Sequence, residues 1–267
     1  MSSPGRLDLS GKPLIGMVHL APLPGSAFYT GLSPAAILDA ARRDLDALLE
    51  AGFDAVSFSN EGDRPYATSI PTEQVAVFTH VLSRLTADLD VPFGCGMLID
   101  PRAGLAVARA IAADFVRLSL GTMVGSYGVL TEDPAEILRY RRAIGAGDVA
   151  LYLNVSPHFS TPLDTRPLGE IVATTAFLCE PDAIQVHGPG AGVPPTTEAV
   201  LEVRDAVPGT PVIVASGVTA ETVGRVLEHA DGVIVGTSLK RDGWIWNAVD
   251  PARARAFVDA ARGARGG

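Results

Sequence analysis

Only two of the 267 residues are cysteine, Cys95 and Cys179, and they show no metal-ligand spacing. A disulfide framework or a cysteine-built metal fold is therefore excluded, and both thiols read as small core residues. Lysine is equally scarce, with Lys12 and Lys240 alone while arginine supplies the remaining positive charge. Schiff-base chemistry needs a lysine inside the fold, yet Lys12 precedes the first strand candidate and Lys240 follows the last. Basic charge is also in deficit, 21 Lys+Arg against 30 Asp+Glu for a net charge of -9. Broad attraction to a nucleic acid polymer or an anionic membrane is not expected, so an anionic ligand has to be met by a local site. Apolar runs such as residues 150–153 and 211–215 are strand-sized, far short of the roughly 20 residues that span a bilayer, and no membrane insertion is expected. Residues 1–11 lack a basic flank, an apolar stretch and a cleavage site, which makes the cytoplasm the expected location. There is no Gly-x-Ser-x-Gly nucleophile elbow either.

What the chain does have is a high apolar content, 47%, arranged with a regular alternation of period. Short runs rich in Val, Ile, Leu and Phe predict strands at Leu14–Val18, Ala55–Ser59, Phe93–Leu98, Phe115–Leu120, Ala150–Val155, Ala183–His187, Val212–Ser216 and Gly232–Gly236. Amphipathic segments predict a helix after each: Pro34–Glu50, Thr72–Asp88, Arg102–Ala112, Pro134–Ile144, Leu168–Cys179, Thr196–Ala206, Ala220–Glu228 and Pro251–Ala261. Ser33-Pro34 and Asp133-Pro134 place a capping side chain before a first-turn proline, while Gly52 and Gly145 sit where left-handed caps end a helix. Eight strand-helix units in about 250 residues, with no linker composition between them, predict one (β/α)8 TIM barrel over residues 1–267. A doubly wound open sheet is the rival, but it usually carries a Gly-rich loop after its first strand, where this chain has His19-Leu20-Ala21-Pro22-Leu23-Pro24-Gly25.

A barrel assembles its site from strand C-termini and the loops after them. Five ionisable residues there are the catalytic candidates: His19, Glu61, Asp63, Asp100 and His187. His158, after the fifth strand, is a sixth acid-base candidate. The loops after strands seven and eight, Ser216-Gly217-Val218-Thr219 and Gly236-Thr237-Ser238, occupy the recurrent phosphate position of barrels, where glycines admit an anion to backbone N–H groups. Asn60, Arg117, Asn154, Ser216, Gly217, Gly236, Thr237, Ser238 and Lys240 are accordingly the binding candidates, with Lys240 placed to neutralise a phosphoryl group. No cofactor is demanded by the residue pattern. His19, Glu61 and Asp100 are of a type that could hold a divalent metal, although no HExxH or facial-triad spacing appears. Trp244-Ile245-Trp246-Asn247 either offers a homo-oligomer surface or covers the barrel's own rim.

Several of these segments together resemble one family. Lys12-Pro13-Leu14-Ile15-Gly16-Met17-Val18-His19-Leu20-Ala21-Pro22-Leu23-Pro24-Gly25-Ser26 is similar to the opening motif of the BtpA (SgcQ-like) family. Ser216-Gly217-Val218-Thr219 and the run from Asp231 to Gly243 resemble that family's last two loops, and Asn60-Glu61-Gly62-Asp63 and Leu138-Arg139-Tyr140-Arg141-Arg142 fit it between. The resemblance implies a TIM barrel of the phosphate-binding type, in a family with some members linked to photosystem I biogenesis. Two stretches depart from the family pattern, residues 121–128 after strand four and 154–160 after strand five. The expected function is that of an enzyme acting on a small phosphorylated sugar or nucleotide-like substrate, by glycosidic-bond cleavage or formation, as a lyase or as an isomerase. The alternative is a non-catalytic assembly or regulatory factor.

Overall fold

The segments that predict strands pair in parallel and in sequence order in the computed structural model, which describes residues 7–155 and 159–265. In chain order the first four barrel strands are β1 (Leu14–His19), β2 (Ala55–Ser59), β3 (Phe93–Gly96) and β4 (Phe115–Ser119). Two rim strands follow, β5 (Gly121–Gly125) and β6 (Gly128–Glu132), then barrel strand β7 (Ala150–Asn154) and a third rim strand, β8 (Ser160–Pro162). The last three barrel strands are β9 (Ala183–Val186), β10 (Val212–Ala215) and β11 (Gly232–Val235). The ring closes where β1 pairs with β11, Leu14 opposite Val233 and Gly16 opposite Val235, giving the (β/α)8 TIM barrel.

Among the described residues eight α-helices surround it: α1 (Pro34–Ala51), α2 (Thr72–Leu85), α3 (Pro101–Ala110), α4 (Pro134–Ala143), α5 (Leu168–Cys179), α6 (Thr197–Ala206), α7 (Val223–Leu227) and α8 (Pro251–Arg265). Their ends follow local chemistry. Ser33 accepts the Ala36 N–H at 3.2 Å to start α1, and Gly52, at φ 90°, ends it in the left-handed conformation. Helix α7 is shorter than its sequence pattern, because Thr219 and Thr222 first close a turn on one another, with Thr222 Oγ1 accepting the Thr219 N–H at 3.0 Å. Along α1 the buried residues Ile37, Ala41, Leu45 and Leu48 recur at helical spacing and face the barrel.

Successive strand residues point to opposite faces, which splits the core in two. Ile15, Phe115, Tyr152, Ile213 and Ile234 fill the barrel interior, with the Phe115 and Tyr152 rings stacked at 4.5 Å between centroids. The larger cluster, from Leu14 to Ala261, lies between strands and helices. Gly94 makes the interior possible, since a Cβ there would fall 2.2 Å from the Phe115 ring. Both cysteines are buried free thiols, and burial pushes the Cys95 thiol up to about 12.

The N-terminal end of the barrel is closed by a repeated device. Asp54, Asp114, Asp182 and Asp231, just before β2, β4, β9 and β11, the second, fourth, sixth and eighth barrel strands, accept the N–H of Leu14, Phe93, Leu151 and Val212 at 2.7, 2.8, 2.8 and 2.8 Å. Each carboxylate thus locks the start of the preceding barrel strand, and the clamp recurs every two βα units.

At the other end β5 and β6 form a hairpin that β8 joins, Gly125 opposite Ser160, as a three-stranded antiparallel sheet. Described residues that follow the fourth and fifth barrel strands therefore meet in one element. No helix among the described residues is long and apolar enough to cross a membrane.

Candidate functional site

A cavity of about 140 Å³ opens at the C-terminal end of the barrel. Its floor and walls are strand ends: Met17 and His19 from β1, Arg117 and Ser119 from β4, Asn154 from β7 and, just beyond β9, His187. Glu61 and Tyr66 reach it from the loop after β2, while Tyr127, Leu130 and Phe159 of the rim sheet and its connections cover one side. The loops after β10 and β11 form the opposite wall through Ser216, Gly217, Val218, Gly236, Thr237 and Ser238.

The carboxyl of Glu61 is raised above its ordinary value, by burial first. The Tyr66 hydroxyl, which donates to Glu61 Oε1 at 2.8 Å, opposes that shift, as do the positive charges of Arg117 and Lys240. His19 moves the other way. Burial, then the charges of Lys240 and Arg117, hold its imidazole well below the usual histidine range, with the backbone of Ile245 acting weakly against them. A neutral histidine and a carboxyl shifted toward neutrality thus face one cavity, the arrangement that proton transfer at neutral pH requires. The His19 ring lies close against Gly236, where a Cβ would fall 2.9 Å from its Cε1.

Arg117 orders the floor. Its Nε donates to Gln185 Oε1 at 2.7 Å and its Nη2 to His187 Nε2 at 3.2 Å. A guanidinium has no acceptor, so His187 Nε2 must accept and the ring carries its proton on Nδ1. Burial lowers Arg117 to about 10, with Glu61 pulling it back up, which leaves the guanidinium charged at neutral pH.

In the loops after β10 and β11, the side chains build and the backbone is left to bind. Ser216 Oγ accepts the Gly188 N–H and donates to the Val193 carbonyl, both at 2.9 Å, and Ser238 Oγ donates to the Val218 carbonyl at 2.7 Å. Gly217 sits at φ 63°, and a Cβ on it would fall 2.1 Å from the Pro194 nitrogen. The N–H groups of Gly217, Val218, Thr237 and Ser238 find no acceptor among the described residues, although all four residues line the cavity.

Four sequence candidates do not face this cavity, and each has a physical reason. Lys240 is 1% exposed and its Nζ pairs with Asp44 Oδ2 of α1 at 2.6 Å, so it fastens the last loop to a helix instead of neutralising a ligand. Asp63 accepts the Leu23 N–H at 2.7 Å and the Asn60 amide at 3.1 Å, and Asn60 in turn accepts the Leu98 N–H at 2.8 Å. These two residues tie the first three loops together. Asp100 caps α3 through Ala103 at 2.9 Å and takes the Ile70 N–H on its other oxygen at 2.9 Å. With Asp100 so engaged, the trio His19, Glu61 and Asp100 is not assembled, and among the described residues no group of three or more His, Cys, Asp and Glu is placed to hold a metal. Ser156 and His158 lie outside the described residues.

Tyr66 is the cavity residue bonded to Glu61 that sequence reasoning missed, because nothing local marks a tyrosine five residues beyond Glu61 as its donor. Trp246 covers the barrel's own rim: the Arg64 guanidinium lies 4.1 Å from its ring centroid and 4.8 Å from that of Phe28. Ile245 lines the cavity, and Trp244 is exposed.

Comparison with known proteins gives a consistent picture. The family model described as "BtpA family" matches residues 10–263. The putative sgc region protein SgcQ of Escherichia coli K12 is 36% identical over 250 residues, 93% of each chain. The photosystem I biogenesis protein BtpA of Synechocystis is 34% identical over 253 residues, 93% of this chain and 88% of that protein. Among solved structures, (S)-3-O-geranylgeranylglyceryl phosphate synthase from Thermoplasma acidophilum, in complex with sn-glycerol-1-phosphate, superposes with a TM-score of 0.59 at 16% identity. That likeness, covering 95% of this chain and 94% of the other, is one of fold.

Proposed function

This chain belongs to the BtpA family, and on that premise we propose that it is an enzyme acting on a small phosphorylated sugar or nucleotide-like substrate. The observation that carries the reading is the wall formed after β10 and β11, where four residues whose backbone N–H groups have no acceptor among the described residues line a cavity. Such donors suit the oxygens of a phosphate, and backbone groups hold it without a side chain's conformational entropy cost. The phosphate sits against Gly217, Val218, Thr237 and Ser238, and the rest of the substrate extends toward Glu61 and His19. Glu61, held toward neutrality by burial and oriented by Tyr66, moves the proton. His19, kept neutral, accepts or relays one. A carboxyl in this position serves cleavage or formation of a glycosidic bond to ribose phosphate, by stabilising an oxocarbenium-like centre or activating water. It serves equally a lyase or an isomerase that shifts a proton beside a carbonyl.

The test is a thermal-shift screen of inorganic phosphate, ribose phosphates, nucleoside monophosphates and related esters, each with and without magnesium, manganese or zinc, followed by turnover assays on any ester that stabilises. A ligand bound only by the folded state must raise its stability. Thr237→Asp sets a carboxylate in the phosphate wall without the backbone clash that any side chain at Gly217 would create. It should abolish the shift, while Glu61→Gln should retain the shift and lose turnover. Full turnover in Glu61→Gln removes the proposed acid-base group. A second reading, a non-catalytic assembly or regulatory factor, draws its support from the name of the Synechocystis relative. Saturable phosphate binding with no turnover of any ester decides for that reading.

A further inference from the structure

Arg117 projects from β4 into the barrel mouth, and every partner it has is uncharged. Nε donates to Gln185, Nη2 to His187 and Nη1 to Met17 Sδ at 3.2 Å. Gln185 cannot turn its oxygen away, because its Nε2 is committed to the Tyr152 carbonyl at 2.7 Å. A guanidinium has five N–H donors, so one on each terminal nitrogen remains. No carboxylate among the described residues forms an ion pair with it. Lys240, the other cation drawn into the barrel's upper end, is given Asp44 at 2.6 Å. The fold therefore gives Lys240 a carboxylate in direct contact, whereas Arg117 has the Glu61 carboxyl nearby but none bonded to it among the described residues, although a cation removed from water is costly without a bonded partner.

The surroundings define what completes the site. Ser59, Asp100, Ser119, Asn154 and Gln185 line a recess of about 50 Å³ beside Arg117, which shares Leu98, Ile99 and Asn154 with the main cavity; both Asp100 oxygens are taken by the Ala103 and Ile70 N–H groups. In the eight-stranded ring β4 stands diametrically opposite β11, and the Arg117 side chain crosses the mouth so that its guanidinium meets Met17 of β1, Gln185 of β9 and His187 just beyond β9, the strands that flank the phosphate wall. A second phosphate dianion here would place two negative charges against one guanidinium with the Glu61 carboxyl nearby. A carboxylate carries one charge and two coplanar acceptors, which match a guanidinium fork. We propose that Arg117 binds a carboxylate of the substrate, which is thus a phosphorylated carboxylic acid with its carboxylate on the guanidinium in the barrel mouth and its phosphate at the wall after β10 and β11. The phosphorylated half rests on the function proposed above; the carboxylate half stands on the geometry of Arg117.

Calorimetric titration of the full chain with matched pairs tests it: 3-phosphoglycerate against glycerol 3-phosphate, and 6-phosphogluconate against sorbitol 6-phosphate. Inorganic phosphate and glycerate serve as single-ended probes. In the wild type the acid of at least one pair should bind about tenfold or more tightly than its alcohol, the ratio one charge-assisted contact supplies. Arg117→Met should erase that preference, while inorganic phosphate still binds. Equal affinities within both pairs, or a preference that survives Arg117→Met, overturns the proposal. Binding of glycerate but not of inorganic phosphate, lost in Arg117→Met, keeps the carboxylate site and defeats the phosphate reading. Should Arg117→Met not fold, Arg117→Lys retains the charge and loses the fork; a weakened preference is expected, and an undiminished one counts against the proposal.

Discussion

Removing the charge of Lys240 separates two roles that its position in the chain makes equally natural. Its ammonium is 1% exposed and pairs with Asp44 Oδ2, while Asp44 Oδ1 accepts the Val249 N–H at 2.8 Å. Lys240→Met leaves the Asp44 carboxylate buried with one backbone donor and no cation. Breaking one side of a buried pair in this way costs about 3–5 kcal/mol. For a chain of this size each kcal/mol moves Tm by about 2–4 °C, so a fall of about 6–20 °C is expected. The double variant Lys240→Met with Asp44→Leu removes both charges and leaves mainly the Val249 N–H without its acceptor, a cost of about 1–3 kcal/mol. It should therefore be more stable than Lys240→Met alone, a non-additivity that a double-mutant cycle by chemical denaturation reads directly. Because Lys240 does not line the cavity, phosphate should still stabilise the double variant. An unchanged Tm in Lys240→Met together with a lost phosphate shift would refute the reasoning and return the lysine to the ligand.

Two further outcomes follow from the same geometry. Tyr66→Phe removes the donor that favours the ionised form of Glu61, so the Glu61 pKa rises further and the acid limb of the kcat/KM profile moves to higher pH; a profile unchanged in pH shows that Glu61 does not carry the proton. Asp231→Ala strips the start of β10 of its acceptor for the Val212 N–H and should cost about 1–3 kcal/mol in urea denaturation, with ligand shifts intact because the clamp lies at the far end of the barrel; a loss within error would show that the four-fold clamp is ornamental.

The barrel was legible because its signals are local and periodic. Residues such as Val212–Ala215 form a buried run of strand length, and Ser33-Pro34 marks a helix start on its own. The rim sheet was not legible: β5 and β6 join through Ser126-Tyr127 without the usual Asn-Gly turn signal, and β5 takes its other partner from residues 160–162, beyond an intervening helix and barrel strand. At the site, the glycine loops and the pairing of Glu61 with His19 in one cavity followed from strand ends alone. Asp100 was misread as a catalyst although Asp100-Pro101 repeats the capping pattern of Asp133-Pro134. Lys240 was misread because its partner lies 196 residues away. One clue existed, since Asp44 interrupts the apolar face of α1 beside Ala41 and Leu48, and an acid placed there needs a buried cation.

The central claim, that the loops after β10 and β11 hold a phosphate by their backbone, is tested most directly by a crystal structure of the full chain grown with inorganic phosphate. Phosphate oxygens are expected within about 3.2 Å of the N–H groups of Gly217, Val218, Thr237 and Ser238, with Lys240 still on Asp44. A phosphate bound elsewhere, or a cavity that stays free of phosphate at saturating concentration, would contradict it.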